Sequence, residues 1–89
     1  MKSEDLRCPV CGYPELDEPA WADGHPSEDI CPSCGTQFGY DDARGVDVES
    51  RRVVHAELRA RWVASGCKWW SPEPEPANWN PERQIAAVS

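Results

Sequence analysis

One five-residue pattern occurs twice in this chain, as Cys8-Pro9-Val10-Cys11-Gly12 and as Cys31-Pro32-Ser33-Cys34-Gly35, with nineteen residues between Cys11 and Cys31. Two residues between cysteines allow a single tight turn to aim both sulfurs at one ion. Proline presets that turn, and glycine after the second cysteine supplies a positive φ. Backbone amides freed by such a turn can point at thiolates, which a bare Cys-x-x-Cys does not guarantee. Cys8, Cys11, Cys31 and Cys34 are therefore expected to form one tetrahedral four-thiolate site, with Zn2+ as its ion and iron as the alternative.

The chain needs such a staple. At 89 residues, with nine prolines and six glycines, a folded domain buries only about 60–65% of the surface its unfolded form exposes. One domain spanning residues 1–89 is expected. Residues 8–40 form its metal-holding part, 48–65 a packing helix, and 66–89 a Pro/Trp-rich tail. No run of about 18 apolar residues is present to cross a bilayer, and the start Met-Lys-Ser-Glu-Asp lacks the apolar core of a signal peptide. A cytoplasmic location follows, where thiols stay reduced and paired cysteines favour metal over the two disulfides of an exported domain.

Asp47 with Glu49 in the first turn marks the start of the helix, and Gly66 marks its end. Val54, Leu58 and Trp62 make an apolar stripe, while Arg52, His55 and Arg59 share another face. Glu57 and Arg61 are spaced as an i,i+4 ion pair. Alternating prolines at 72, 74 and 76 forbid helix, so the tail becomes a stiff strap. Asn80 before Pro81 then caps a short second helix over about 81–87. Short antiparallel strands are expected at Tyr13–Leu16 and Thr36–Tyr40, with Asp41, Asp42, Asp47 and Glu49 read as turn and cap residues because they miss the calcium-loop spacing.

The fold class that results is a small metal-stapled α+β domain. It has a zinc-ribbon or rubredoxin-like two-knuckle β core, one main α-helix and a wrapped C-terminal tail. Cys8-Pro9-Val10-Cys11-Gly12-Tyr13, taken with the run from Ile30 to Asp42, resembles the small bacterial cysteine-rich proteins of the CPCC type. The tail residues Trp69-Trp70 and Asn78-Trp79-Asn80-Pro81 are also associated with such proteins. This chain lacks the contiguous Cys-Pro-Cys-Cys of that name. The resemblance implies the four ligands above and a largely unassigned function. The knuckles are similar also to those of rubredoxins, which implies single-electron transfer on iron, with Tyr13, Trp21 and Phe38 as flanking aromatics. The shorter interval between pairs and the long helical second half depart from that pattern.

A closed four-sulfur site leaves no position for water or substrate, and no nucleophile motif or glycine-rich phosphate loop occurs, so no enzyme is expected. Cys67 follows the helix C-terminus, where the dipole opposes a thiolate, and is read as an ordinary small residue. His25 is read as a solvated loop residue. A net charge of −7, with eleven acidic and three basic side chains in residues 1–47 against five and six in 48–89, disfavours nucleic acid as a partner. A protein partner is expected instead, met by Arg52, His55 and Arg59 or by Trp69, Trp70 and Trp79, with the chain a monomer or weak oligomer.

Overall fold

The computed structural model describes residues 6–88. Its two cysteine turns are near-copies in their backbone bonding. In the first, Cys8 N–H donates to the Tyr13 carbonyl at 2.7 Å and Gly12 N–H to the Cys8 carbonyl at 2.8 Å. In the second, Cys31 N–H donates to Thr36 at 2.9 Å and Gly35 N–H to Cys31 at 2.8 Å. Gly12 and Gly35 take φ of 86° and 81°, the left-handed conformation that closes each turn behind its second cysteine.

The knuckles do not continue into the expected strands. Pro14 removes an N–H from residues 13–16, so that among the described residues that segment keeps only the Leu16 N–H to Leu6 carbonyl bond, 3.0 Å, as a backbone bond beyond the knuckle itself. In the second, Ile30 and Gln37 form a lone antiparallel bridge, and then the chain curls. Gln37 N–H donates to Asp41 Oδ2 at 2.8 Å and Gly39 N–H to Asp42 Oδ1 at 2.7 Å. These carboxylates take the amides a ladder would have used.

The two-stranded sheet lies between the knuckles. Strands β1 (Trp21–Ala22) and β2 (His25–Pro26) pair antiparallel, Trp21 opposite Pro26 and Ala22 opposite His25. Asp23 and Gly24 turn them with φ of 54° and 80°, the two positive values that a two-residue Asp-Gly hairpin requires. His25, exposed on β2, lies outside the cysteine cluster.

Helix α1 spans Val48–Ala64. Asp47 Oδ1 accepts from Ser50 N–H at 2.8 Å and Ser50 Oγ accepts from Asp47 N–H at 3.2 Å, a reciprocal cap satisfying two end amides. At the other end Cys67 N–H reaches the Trp62 carbonyl and Gly66 N–H the Val63 carbonyl, each at 3.0 Å, with Gly66 at φ 102°, a Schellman termination. Val54 and Trp62 are buried; Leu58, half-buried, packs with Trp62 on a core of Cys8, Val10, Cys11, Cys31 and Phe38. Glu57 pairs with Arg44 at 2.7 Å rather than with Arg61; both are exposed, so the pair contributes little either way.

The tail returns across both knuckles. Helix α2, Pro81–Ala86, begins at Asn80, whose Oδ1 accepts from Arg83 N–H at 3.0 Å. Rings of Tyr13, Trp69, Trp79 and Trp62 form an edge-to-face chain with centroids 5.7, 5.2 and 6.5 Å apart, contacts worth about 0.5–1.5 kcal/mol each beyond their burial. Their indole donors are met internally, Trp62 by Lys68 O, Trp69 by Glu73 O and Trp79 by Gln84 Oε1.

Candidate metal centre

The four sulfurs of Cys8, Cys11, Cys31 and Cys34 lie within 4.8 Å of one another. Two edges that cross between the knuckles, Cys8 to Cys34 and Cys11 to Cys31, measure 3.8 and 3.7 Å. A tetrahedron with metal–sulfur bonds of about 2.3 Å has edges of about 3.8 Å, whereas a disulfide brings its sulfurs to about 2.0 Å. The donor set therefore fits a tetrahedral thiophilic ion and does not fit two crosslinks.

Electrostatics argue the same way. In the absence of a cation, hydrogen bonding to Cys11 and then to the other sulfurs, with burial, drives the Cys8 thiol far above its ordinary pKa, and Cys11 likewise leads the rise at Cys31. Cys34, hydrogen-bonded first by Cys11 and then by Cys31 and Cys8, is driven down. Four thiolates this close together and this buried would repel one another, and a bound cation would offset that repulsion.

The surrounding groups hold the ligands in place. Val10 N–H points at Cys8 Sγ at 3.4 Å, and Cys34 Sγ lies 3.3 Å from Thr36 Oγ1, a hydroxyl able to donate to a thiolate. The carbonyls on the outside of each knuckle are also met. Arg59 donates through Nε to Val10 O at 2.8 Å and through a terminal nitrogen to Pro9 O at 2.9 Å. At the equivalent positions of the second knuckle, Trp70 N–H donates to Ser33 O at 3.1 Å and Ser71 N–H to Pro32 O at 2.9 Å. One knuckle is held by the helix and the other by the start of the tail.

The knuckle glycines carry a further constraint. A Cβ on Gly12 would fall 2.0 Å from the Gln84 carbonyl oxygen, and one on Gly35 would fall 2.4 Å from the Trp70 ring. Gln84 itself is buried between the knuckles; its Nε2 donates to Ser33 Oγ at 2.9 Å while its Oε1 accepts from Trp79. Three ligands are fully buried and Cys34 is half-buried, opening on a shallow depression of about 380 Å³ that Thr36, Arg61 and Trp62 also line.

The six residues expected to meet a partner are divided by the structure. His55 is a core residue, 6% exposed, with Nε2 2.7 Å from Asp42 Oδ2. Arg59 is committed to the knuckle carbonyls, and Trp69 and Trp79 to the aromatic chain. Arg52 and Trp70 remain outward, Trp70 54% exposed. Helical spacing placed His55 with the arginines because it could not see Asp42.

Asp42 is the structural residue that turn chemistry alone missed. Wholly buried, it accepts from Trp21 Nε1 at 2.8 Å, from His55 and from Gly39 N–H. Burial would raise its carboxyl, but the bonds from His55, Trp21 and Gly39 outweigh that and hold it below the usual range. Cys67 packs on the core, and burial, then Glu82, raises its thiol, the opposite of an activated nucleophile. No helix among the described residues is long and apolar enough to cross a membrane. The chain matches no protein-family model, no curated protein and no solved structure.

Proposed function

We propose that the chain is a non-catalytic module of the two-knuckle zinc-ribbon kind, akin to the bacterial CPCC-type proteins, in which one structural Zn2+ holds the fold together for binding a protein partner. The 3.7–3.8 Å sulfur edges between knuckles carry this reading, because they match tetrahedral thiolate ligation. Bound zinc would supply folding free energy and charge neutralisation, with all four positions taken by protein sulfur. Cys8 and Cys11 present two sulfurs from one turn and Cys31 and Cys34 two from the other; Arg59 and the Trp70-Ser71 amides keep those turns closed. Trp70 supports the partner role: with Tyr40 it is one of two large aromatics left more than half in solvent among the described residues, and it is set against Gly35 of the second knuckle.

Elemental analysis with a visible spectrum, on protein purified without added metal, tests the metal half of the reading. One zinc per chain and no colour is expected. One iron per chain, with visible absorption that bleaches reversibly on reduction and is retained in competition with zinc, would replace the structural reading with electron transfer. For the partner half, Trp70→Ala is expected to abolish retention of a binding protein while leaving zinc content and fold unchanged. Equal retention by both forms would move the surface away from Trp70.

A further inference from the structure

Arg52, His55 and Arg59 with Arg7 line a shallow depression of about 420 Å³ beside Pro9. A second depression, of about 200 Å³, adjoins it through Arg7, Pro9, Arg52 and His55, and adds Arg51 and the apolar side chains of Ala20, Trp21 and Val48. Lys2 lies outside the described residues, which leaves eight of the nine Lys and Arg side chains. Four of those eight line these two depressions; among the described residues no Asp or Glu lines either. In a chain with sixteen carboxylates and nine cations, such a concentration runs against the composition.

Two of these guanidiniums, those of Arg59 and Arg51, are held by groups that carry no net charge. Arg59 is oriented by two backbone carbonyls, which carry no net charge. Arg51 lies over the Trp21 ring, 3.8 Å from its centroid, and its buried Nε has no hydrogen-bond partner. Neither has a carboxylate within ion-pair distance among the described residues, while Arg52 reaches only Glu49 at 3.5 Å in full solvent, a pair worth little. Asp42 stands behind His55, fully buried, its oxygens already taken by three donors. At physiological salt the Debye length is about 8 Å, so the local cluster outweighs the distant negative charge of the chain.

We infer that this face of the helix, beside the first knuckle, binds a phosphoryl group. The guanidiniums of Arg51 and Arg52 line one depression and those of Arg52 and Arg59 the other, and the donors not spent on the Val10 and Pro9 carbonyls are open to an oxyanion. A phosphate of charge near −2 balances that cluster better than a single carboxylate does. The neighbouring wall of Trp21, Ala20 and Val48 would accept an apolar group esterified to it. Free phosphate and a phosphate monoester share this chemistry. The inference goes beyond the structural-metal reading and does not depend on which ion the cysteines hold.

The test is a titration of the full metal-loaded chain, at constant ionic strength, followed by proton–nitrogen correlation spectra of the arginine Nε and Trp21 indole resonances. Inorganic phosphate and phenyl phosphate are the probes, with chloride as the matched control. Saturable shifts with phosphate but not chloride are expected, with binding weakened about tenfold or more in Arg52→Gln, whose exposed site leaves the fold intact. Tighter binding of phenyl phosphate would identify a monoester as the natural form, and equal binding would identify free phosphate. Absence of saturable shifts, equal shifts with chloride, or unchanged affinity in both Arg52→Gln and Arg51→Gln would overturn the assignment.

Discussion

Gln84 of the terminal helix donates from Nε2 to Ser33 Oγ at 2.9 Å, joining the end of the chain to the inside of the second knuckle across fifty-one positions. Ser33 is wholly buried and Gln84 nearly so. The same carboxamide accepts from Trp79 and its backbone carbonyl covers Gly12. One residue thus ties both knuckles to the aromatic tail, so loss of the metal turns should release the tail, and loss of the tail should loosen the turns.

Replacing Gln84 by Ala leaves the buried Ser33 hydroxyl oxygen without its donor and the part-buried Trp79 indole N–H without its acceptor, each costing about 1–3 kcal/mol. The expected result is a loss of about 2–4 kcal/mol in denaturant unfolding of the metal-loaded protein, with metal stoichiometry retained. A double-mutant cycle with Ser33→Ala should show coupling above about 0.5 kcal/mol. Additive effects would mean that the 2.9 Å bond is energetically idle.

Gly12 and Gly24 separate backbone strain from contact. Both have positive φ, 86° and 80°, but a Cβ on Gly24 meets nothing within 4 Å whereas one on Gly12 meets the Gln84 carbonyl at 2.0 Å. Gly24→Ala should cost only the conformational penalty of about 1–2 kcal/mol. Gly12→Ala should cost clearly more and displace α2, read as lost protection of Gln84 and Ile85 amides in hydrogen exchange. Similar costs for the two would deny the close approach.

Asp42 sets an acid limit on stability. Its folded pKa is depressed, so its contribution is fully present above the unfolded carboxyl value of about 3.9 and is lost as pH falls through the folded value. Metal-loaded protein and Asp42→Asn should therefore converge in stability as pH drops below about 4, after a gap at neutral pH that reflects the bonds from His55, Trp21 and Gly39. A gap independent of pH across that window would show that the charge on Asp42 is not what holds those three donors.

Arg59→Met keeps the apolar stem but removes the donors to Pro9 and Val10. The first knuckle should then open more often, and a chelator should extract metal about tenfold faster or more, since two charge-assisted bonds to buried carbonyls are lost. Arg59→Lys, with a single point charge, should fall between. Extraction at the parent rate from Arg59→Met would show that the carbonyl clamp does not restrain the ligands.

The parts legible in the sequence were those set by local chemistry. The Cys-Pro-x-Cys-Gly turns, the Asp47 start and Gly66 end of the helix, and the Asn80-Pro81 opening of α2 each depend on residues within one turn of one another. The Asp23-Gly24 hairpin had a local signal too, but strands of two residues carry no alternation to draw attention to it. The remainder required three dimensions. His55 meets Asp42 across thirteen positions, Arg59 meets Val10 across forty-nine, and Glu57 leaves Arg61 for Arg44. Periodicity on α1 sorts faces correctly for Trp62 and Val54, yet it cannot distinguish a cation in solvent from one bound to the backbone of a distant turn.

X-ray absorption at the metal edge of purified protein tests the central claim most directly, because it counts the sulfurs around the ion and measures their distance. The account predicts one zinc coordinated by four sulfurs at about 2.3 Å with no oxygen or nitrogen neighbour, and three sulfurs once Cys31 is replaced by Ser. Fewer than four sulfurs in the parent protein, or a lighter ligand in the first shell, would contradict the closed site that Cys8, Cys11, Cys31 and Cys34 are held to form.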